Sequence, residues 1–288
     1  MHITIIMVVT YILCCARIAT APWRYWQLNA HYFSKESGVF SKLQMDPLIP
    51  ERWKLHQFID TGTVQPTTYP VFLKPEWGQN AHGIHRADNP EQLATLRATL
   101  AGQPQRYLLQ EAAKGRREFE LFSIDADRDD GKHDVFTVTE AKNDREEYPV
   151  NSKYNRFTCY SDITQQFTLE QKEKLAAYLS QIGKFGISRM SVRADSIESL
   201  VAGDFHVIEI NLFLPMPINL LDSTYSWREK WRFILPAMMK LAHATRLIKP
   251  VDEPQAIFAR MMMYGKGRKG TKTQVDSNST IADHYPQR

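Results

Sequence analysis

The sequence predicts an α+β protein built from antiparallel strands with helices set beside them. Two observations lead there. Apolar runs of strand length come as neighbouring pairs joined by turns, and the well-capped helices stand between groups of strands, not after every strand. A third is the absence of any internal repeat across the 288 residues. The composition, 43% hydrophobic and 24% charged, is that of an ordinary globular chain long enough for a substantial core. The net charge of +4 is modest, and no basic stripe with interleaved aromatics crosses the interior, so specific nucleic-acid binding is not expected. Cys14, Cys15 and Cys159 show no metal-ligand spacing and form an odd set, which argues for a reducing compartment over a disulfide scaffold.

Residues 1–26 form an apolar N-terminal segment. It is too long for a signal-peptide core and too short for a comfortable spanning helix. Arg17 and Arg24 flank it beside Trp23, Tyr25 and Trp26, as an interfacial anchor would. A membrane anchor through residues 3–21 is therefore expected ahead of a buried N-terminal helix, leaving the globular part cytoplasmic at the inner face. Residues 27–68 read as a helical lead-in broken by Pro47 and Pro50. Val71 to Leu73 then begin a strand that delivers Lys74, followed by a loop bracketed by Gly78 and Gly83. Glycines let backbone N–H groups approach an anion, and lysine adds a point charge for it. By itself this pattern is equally an ordinary turn.

Asn89-Pro90-Glu91-Gln92 carries an N-cap, a first-turn proline and a capping-box partner for a helix ending at Gly102. Residues 106–110, 116–124 and 135–139 read as strands, with Glu118 and Glu120 on one face. Residues 142–162 read as a long polar binding loop. Thr168 starts a second helix with Leu175, Leu179 and Ile182 inward. Residues 185–194 and 204–210 read as paired strands turning near Gly203. Residues 226–247 form an amphipathic helix with Trp227, Trp231, Leu235, Met238 and Leu241 as its core stripe, kinked or broken at Pro236. Residues 265–288 read as a basic and polar disordered tail.

In His206-Val-Ile-Glu-Ile-Asn, Glu209 and Asn211 are two apart and share a strand face, and both offer the oxygen ligands that magnesium takes beside phosphates. A solvated face is the ordinary explanation for such a pair. Their apolar neighbours Val207, Ile208 and Ile210 argue against it here.

Taken with YPVFLKPEWGQNAHGI, LLQEAAKGRREFE and RMSVR, this strand resembles the ATP-grasp superfamily, and within it D-alanine–D-alanine ligase-like carboxylate–amine ligases. The resemblance covers residues 69–222, roughly half the chain, and rests on the order and spacing of the motifs. It implies an ATP-grasp domain over residues 69–250, in which two α+β subdomains clamp ATP. It implies Lys74 on the α/β-phosphates and the Gly78–Gly83 loop over them. Gln110, Glu111 and Ala113 would border the adenine, and Glu118 the ribose. Glu209 and Asn211 would bind Mg2+, and Arg189 would meet the transferred phosphoryl group. Lys153, ahead of Lys142, would be the second ATP-contacting lysine. The implied reaction activates a carboxylate as an acylphosphate and passes it to an amine, with both substrates small molecules. Two departures stand out. Ser191 occupies the position where the family places an aspartate metal ligand, and Asp195 lies about 13 Å further along the strand. Residues 1–68 read as too short, and too apolar at their start, for the acceptor-binding domain that the family commonly carries ahead of these motifs. A nucleotide-binding module with weak or no ligase activity is the competing reading.

Overall fold

The computed structural model describes residues 2–78, 81–103, 105–125, 133–249 and 254–267. Two antiparallel sheets form its framework. The first contains β1 (Gln57–Ile59), β2 (Val71–Pro75), β3 (His85–Ala87) and β4 (Tyr107–Glu111), in spatial order β1-β4-β2-β3. The second contains β5 (Arg117–Ile124), β6 (Val135–Lys142), β7 (Cys159–Asp162), β8 (Ile187–Ala194) and β9 (His206–Asn211), in order β7-β6-β5-β8-β9. The helices are α1 (His2–Arg17), α2 (Lys42–Met45), α3 (Pro90–Leu100), α4 (Leu169–Ile182), α5 (Ile197–Ala202), α6 (Trp227–Leu247) and α7 (Ile257–Gly267). The α+β class expected from the sequence is the one observed.

The capped helices begin where their caps stand. The Asn89 side chain accepts from the Gln92 amide, and Thr168 with Gln171 closes a full capping box on α4. The alternation in β5 places Phe119 and Leu121 under α4, in a core shared with Leu175, Leu179, Met190, Val192 and the fully buried Trp53. Trp53 stacks on Phe205 at 4.8 Å and donates from Nε1 to the Gly203 carbonyl at 2.8 Å. The opposite face of β5 presents Glu118 and Glu120, then Phe122 and Ile124, the last two covered by α1 and α6.

Several expectations are corrected. Residues 27–68 are not simply helical. Phe58 and its neighbours form β1, paired to β4, so the first sheet begins before Tyr69. The loop expected over residues 142–162 is shorter, because Cys159–Asp162 returns as β7 along β6. A short helix, α5, intervenes between β8 and β9, capped by the Ser196 side chain and ended by Gly203 at φ +92°. Pro236 sits inside an unbroken α6. It lies on the exposed side of the helix, as does Arg232, whose carbonyl the proline leaves free, so water can satisfy that group.

The core stripe of α6 is also not the one expected. Met238 and Leu241 are buried, but Trp227, Trp231 and Leu235 are about half exposed. The inward face is Ile234, Ala237, Met238, Leu241, Ala242, Ala244 and Thr245. Its alanines let α1 approach closely. In α1, Met7, Tyr11, Cys14 and Cys15 are buried in the shared cluster, and the Tyr11 hydroxyl is 2.9 Å from that of Thr245. The membrane anchor expected for residues 3–21 is not supported. Among the described residues no helix is long and apolar enough to cross a membrane. Residues 257–267 are helical, and the expected tail beyond them lies outside the described residues, as do residues 126–132 of the loop between β5 and β6.

Gly115 joins the two sheets at φ +113°, and a Cβ there would stand 2.8–2.9 Å from the backbone of Ala194. Backbone cannot yield as a flexible side chain does. Gly115→Ala is therefore expected to cost about 3 kcal/mol, combining the strained conformation with an overpacked contact. Thermal unfolding of the variant checks this.

Candidate functional site

A cavity of about 340 Å³ opens between the two sheets. Its walls bring together nine residues that the sequence singled out from separate motifs: Lys74, Gln110, Glu111, Ala113, Glu118, Lys153, Arg189, Glu209 and Asn211. Gly78 and Gly83 do not line it, but Ala81 and Ile84 from the same loop do. Residues 79–80 of that loop lie outside the described residues. Lys142 stays away from the cavity, half exposed and 3.6 Å from Glu140. Of the two lysines weighed, Lys153 lines the cavity, exposed and with its ammonium 4.8 Å from the Tyr154 ring.

Lys74 is delivered by β2, a strand buried along its whole length. Its ammonium donates to Gln110 Oε1 on the neighbouring strand. Burial pushes its pKa down to about 8, although Glu209 and Glu118 pull it back up. Glu118 is held near Arg193, its direct cross-strand partner. Burial, and then the adjacent Glu120, push the Glu118 carboxyl up to about 7 against the pull of Arg193. Glu111 Oε1 accepts from the His56 amide at 2.8 Å, tying β4 to the segment before β1.

Glu209 is a mostly buried carboxylate compensated by several cations. Burial alone would raise its pKa, but Lys42, Lys74 and Arg189 outweigh that and hold it below the ordinary value. Lys42 Nζ stands 3.0 Å from Glu209 Oε1. Sequence reasoning missed Lys42, and no periodicity could have revealed it, because α2 is a single turn. It placed Glu120 on the same face as Glu118 but gave it no role. Ser191 Oγ donates to Glu120 Oε1 at 2.9 Å, and Arg189 Nε lies 3.2 Å from Glu120 Oε2.

The long segment between β6 and β7 closes one side. Pro149 to Lys153 line the cavity. Tyr148 sits between two guanidinium groups, Arg86 from β3 at 5.6 Å and Arg193 from β8 at 5.1 Å, so it spans both sheets. Leu214, Pro215, Met216 and Ile218, which follow β9, line the far end, with Thr4 of α1 beside them.

The donor set suits a magnesium–nucleotide complex. Magnesium takes hard oxygen ligands and leaves part of its shell to phosphates. Glu209 and Asn211 supply such oxygens. Among the described residues no group of three acidic, histidine or cysteine side chains forms a complete metal cage. Several buried polar atoms at the site lack a hydrogen bond, including Glu120 Oε2, Arg189 Nε, Arg193 Nε and Asn211 Nδ2. Buried groups left open in this way have room for a water, an ion or a polar ligand as partner.

Residues 35–217 match the model of the family described as D-ala D-ala ligase C-terminus. The chain belongs to that family. Its α+β build on paired antiparallel sheets is the ATP-grasp fold. The match also begins well before Tyr69, in keeping with the position of β1. Solved structures similar to the chain include the VanG D-Ala:D-Ser ligase from Enterococcus faecalis, at 15% identity and a TM-score of 0.49 over 75% of this chain and 70% of that one. A D-alanine–D-alanine ligase from Bacillus anthracis is similar at 14% identity and a TM-score of 0.48, covering 72% and 67%. An L-amino acid ligase from Bacillus licheniformis is similar at 15% identity and a TM-score of 0.43, covering 69% of this chain. The chain spans 47% of the length of that L-amino acid ligase. No curated protein is significantly similar in sequence.

Proposed function

We propose that the chain is an ATP-dependent ligase that activates a small-molecule carboxylate as an acylphosphate and joins it to an amine. The observation that carries this is one cavity lined by the cations Lys74, Lys153 and Arg189 together with the oxygen donors Glu209 and Asn211. Lys74 holds the α/β-phosphates, and Glu118 accepts from the ribose hydroxyls. Gln110, Glu111 and Ala113 border the base. Lys153 and Arg189 meet the γ-phosphoryl group. Glu209 and Asn211 hold Mg2+, which neutralises phosphate charge as it develops in the transition state. The chain's own part is positioning and electrostatics, and no side-chain nucleophile is needed. The wall formed by Leu214 to Ile218 is the acceptor end, apolar and close to the arginine. ATP dependence and three free cysteines fit a cytoplasmic location.

One observation favours a second reading, a nucleotide-binding module with weak or no turnover: Ser191 puts a hydroxyl where a carboxylate ligand was expected. Purified protein with Mg-ATP and a panel of amino acids and other carboxylate–amine pairs separates the two readings. Phosphate release that requires both a carboxylate and an amine is the expected result. Tight nucleotide binding without release on any pair would favour the module.

A further inference from the structure

A row of side chains crosses the second sheet in register. Glu120 on β5 stands opposite Ser191 on β8, and Ser191 stands opposite Glu209 on β9. Directly opposed residues of antiparallel strands share a face, and all three line the cavity. Strands lie about 4.8 Å apart, so the backbones of Glu120 and Glu209 are separated by roughly 10 Å, with only a serine between them. Both glutamate side chains line the cavity on that shared face, Glu209 with Lys42 3.0 Å from its Oε1. The small Ser191 side chain leaves the gap between their strands open, and its hydroxyl fixes one oxygen of Glu120.

The other oxygen, Oε2, is shut from solvent and accepts no hydrogen bond. Arg189 Nε is 3.2 Å away but is also without a hydrogen bond, so the pair is held by charge and not by alignment. That balance is upset once phosphate enters. A phosphoryl group competes for Arg189 and would leave Glu120 as a buried anion beside further negative charge. Lys42 is already committed to Glu209. A divalent cation between the two glutamates resolves the conflict.

We infer that Glu120 is a magnesium ligand, facing Glu209 across Ser191, and that it supplies from the adjacent strand the carboxylate that Ser191 lacks. Ser191 is then a positioning residue. The inference rests on the nucleotide reading above and goes beyond it in assigning Glu120.

The test uses the full chain with a non-hydrolysable ATP analogue and Mn2+ as a paramagnetic probe, reading bound against free metal by electron paramagnetic resonance. Glu120→Gln keeps shape and the serine contact. It is expected to weaken Mn2+ binding in the nucleotide complex at least about tenfold, while analogue affinity in EDTA is unchanged or tighter. Adding Ser191→Asp to that variant returns a carboxylate to the gap and should recover most of the Mn2+ affinity. Glu120→Asp, which keeps the charge but shortens the reach, should fall between wild type and Glu120→Gln. Mn2+ affinity unmoved by Glu120→Gln, in a protein that still binds the analogue, overturns the assignment of Glu120 alone. A wild-type chain that binds no analogue overturns the nucleotide reading and this assignment with it.

Discussion

Lys74→Ala is expected to weaken nucleotide binding by roughly 30-fold to several thousand-fold, the usual cost of removing one partner from a buried, hydrogen-bonded charge pair. Titration with a fluorescent ATP analogue checks it. The effect should be large because Lys74 comes from a fully buried strand. Water cannot readily take the place of its ammonium. Burial has already lowered its pKa to about 8 in the free protein, and phosphate restores the charged form. Wild-type affinity should therefore be at its strongest below about pH 8 and decline as the pH rises through that value. The alanine variant should lack this decline. The sign for stability is opposite. Because the unfolded lysine holds its proton to higher pH, burial of Lys74 costs stability below about pH 8, and the variant should be no less stable there. Unchanged affinity in Lys74→Ala would remove Lys74 from the site.

What could be read in the sequence depended on how local the governing physics was. Caps at Asn89 and Thr168 act within four residues, so those helices were legible. The two-residue period of a strand is equally local, and it put Glu118 with Glu120 and Glu209 with Asn211. Lys42 and β1 were not legible because a four-residue helix and a three-residue strand are too short to carry a period. The α6 stripe failed for a different reason. The helix has apolar residues on two faces, and packing against α1 and β5 selects the face lined with alanines. Register was the other hidden quantity. Nothing in the linear sequence says that Glu120 lies opposite Ser191, and that pairing alters how the missing aspartate is understood. A hydroxyl read as a lost ligand becomes the support of a carboxylate on the neighbouring strand.

Arg189→Met should separate the two tasks assigned to that side chain. In the free protein Arg189 offsets the buried charge of Glu120, whose pKa is already raised by burial. Removing the guanidinium leaves that carboxylate uncompensated, a loss of about 3 kcal/mol where it stays ionised. Glu120 can escape by taking a proton, since its folded-state pKa lies above its unfolded value. The variant should then lose stability as the pH rises from the ordinary carboxylate range toward neutrality, and the loss should be smaller in acid. Adding Glu120→Gln should return most of the stability at neutral pH. The phosphate task should not return with it. If Arg189 meets the γ-phosphoryl group, both the single and the double variant lose the preference for ATP over ADP, by roughly 30-fold or more for a buried charged contact. Thermal unfolding across pH reads the first effect, and competitive nucleotide binding reads the second. A variant that is destabilised yet keeps its preference for ATP would make Arg189 only the counterion of Glu120, and the γ-phosphate contact would have to come from Lys153.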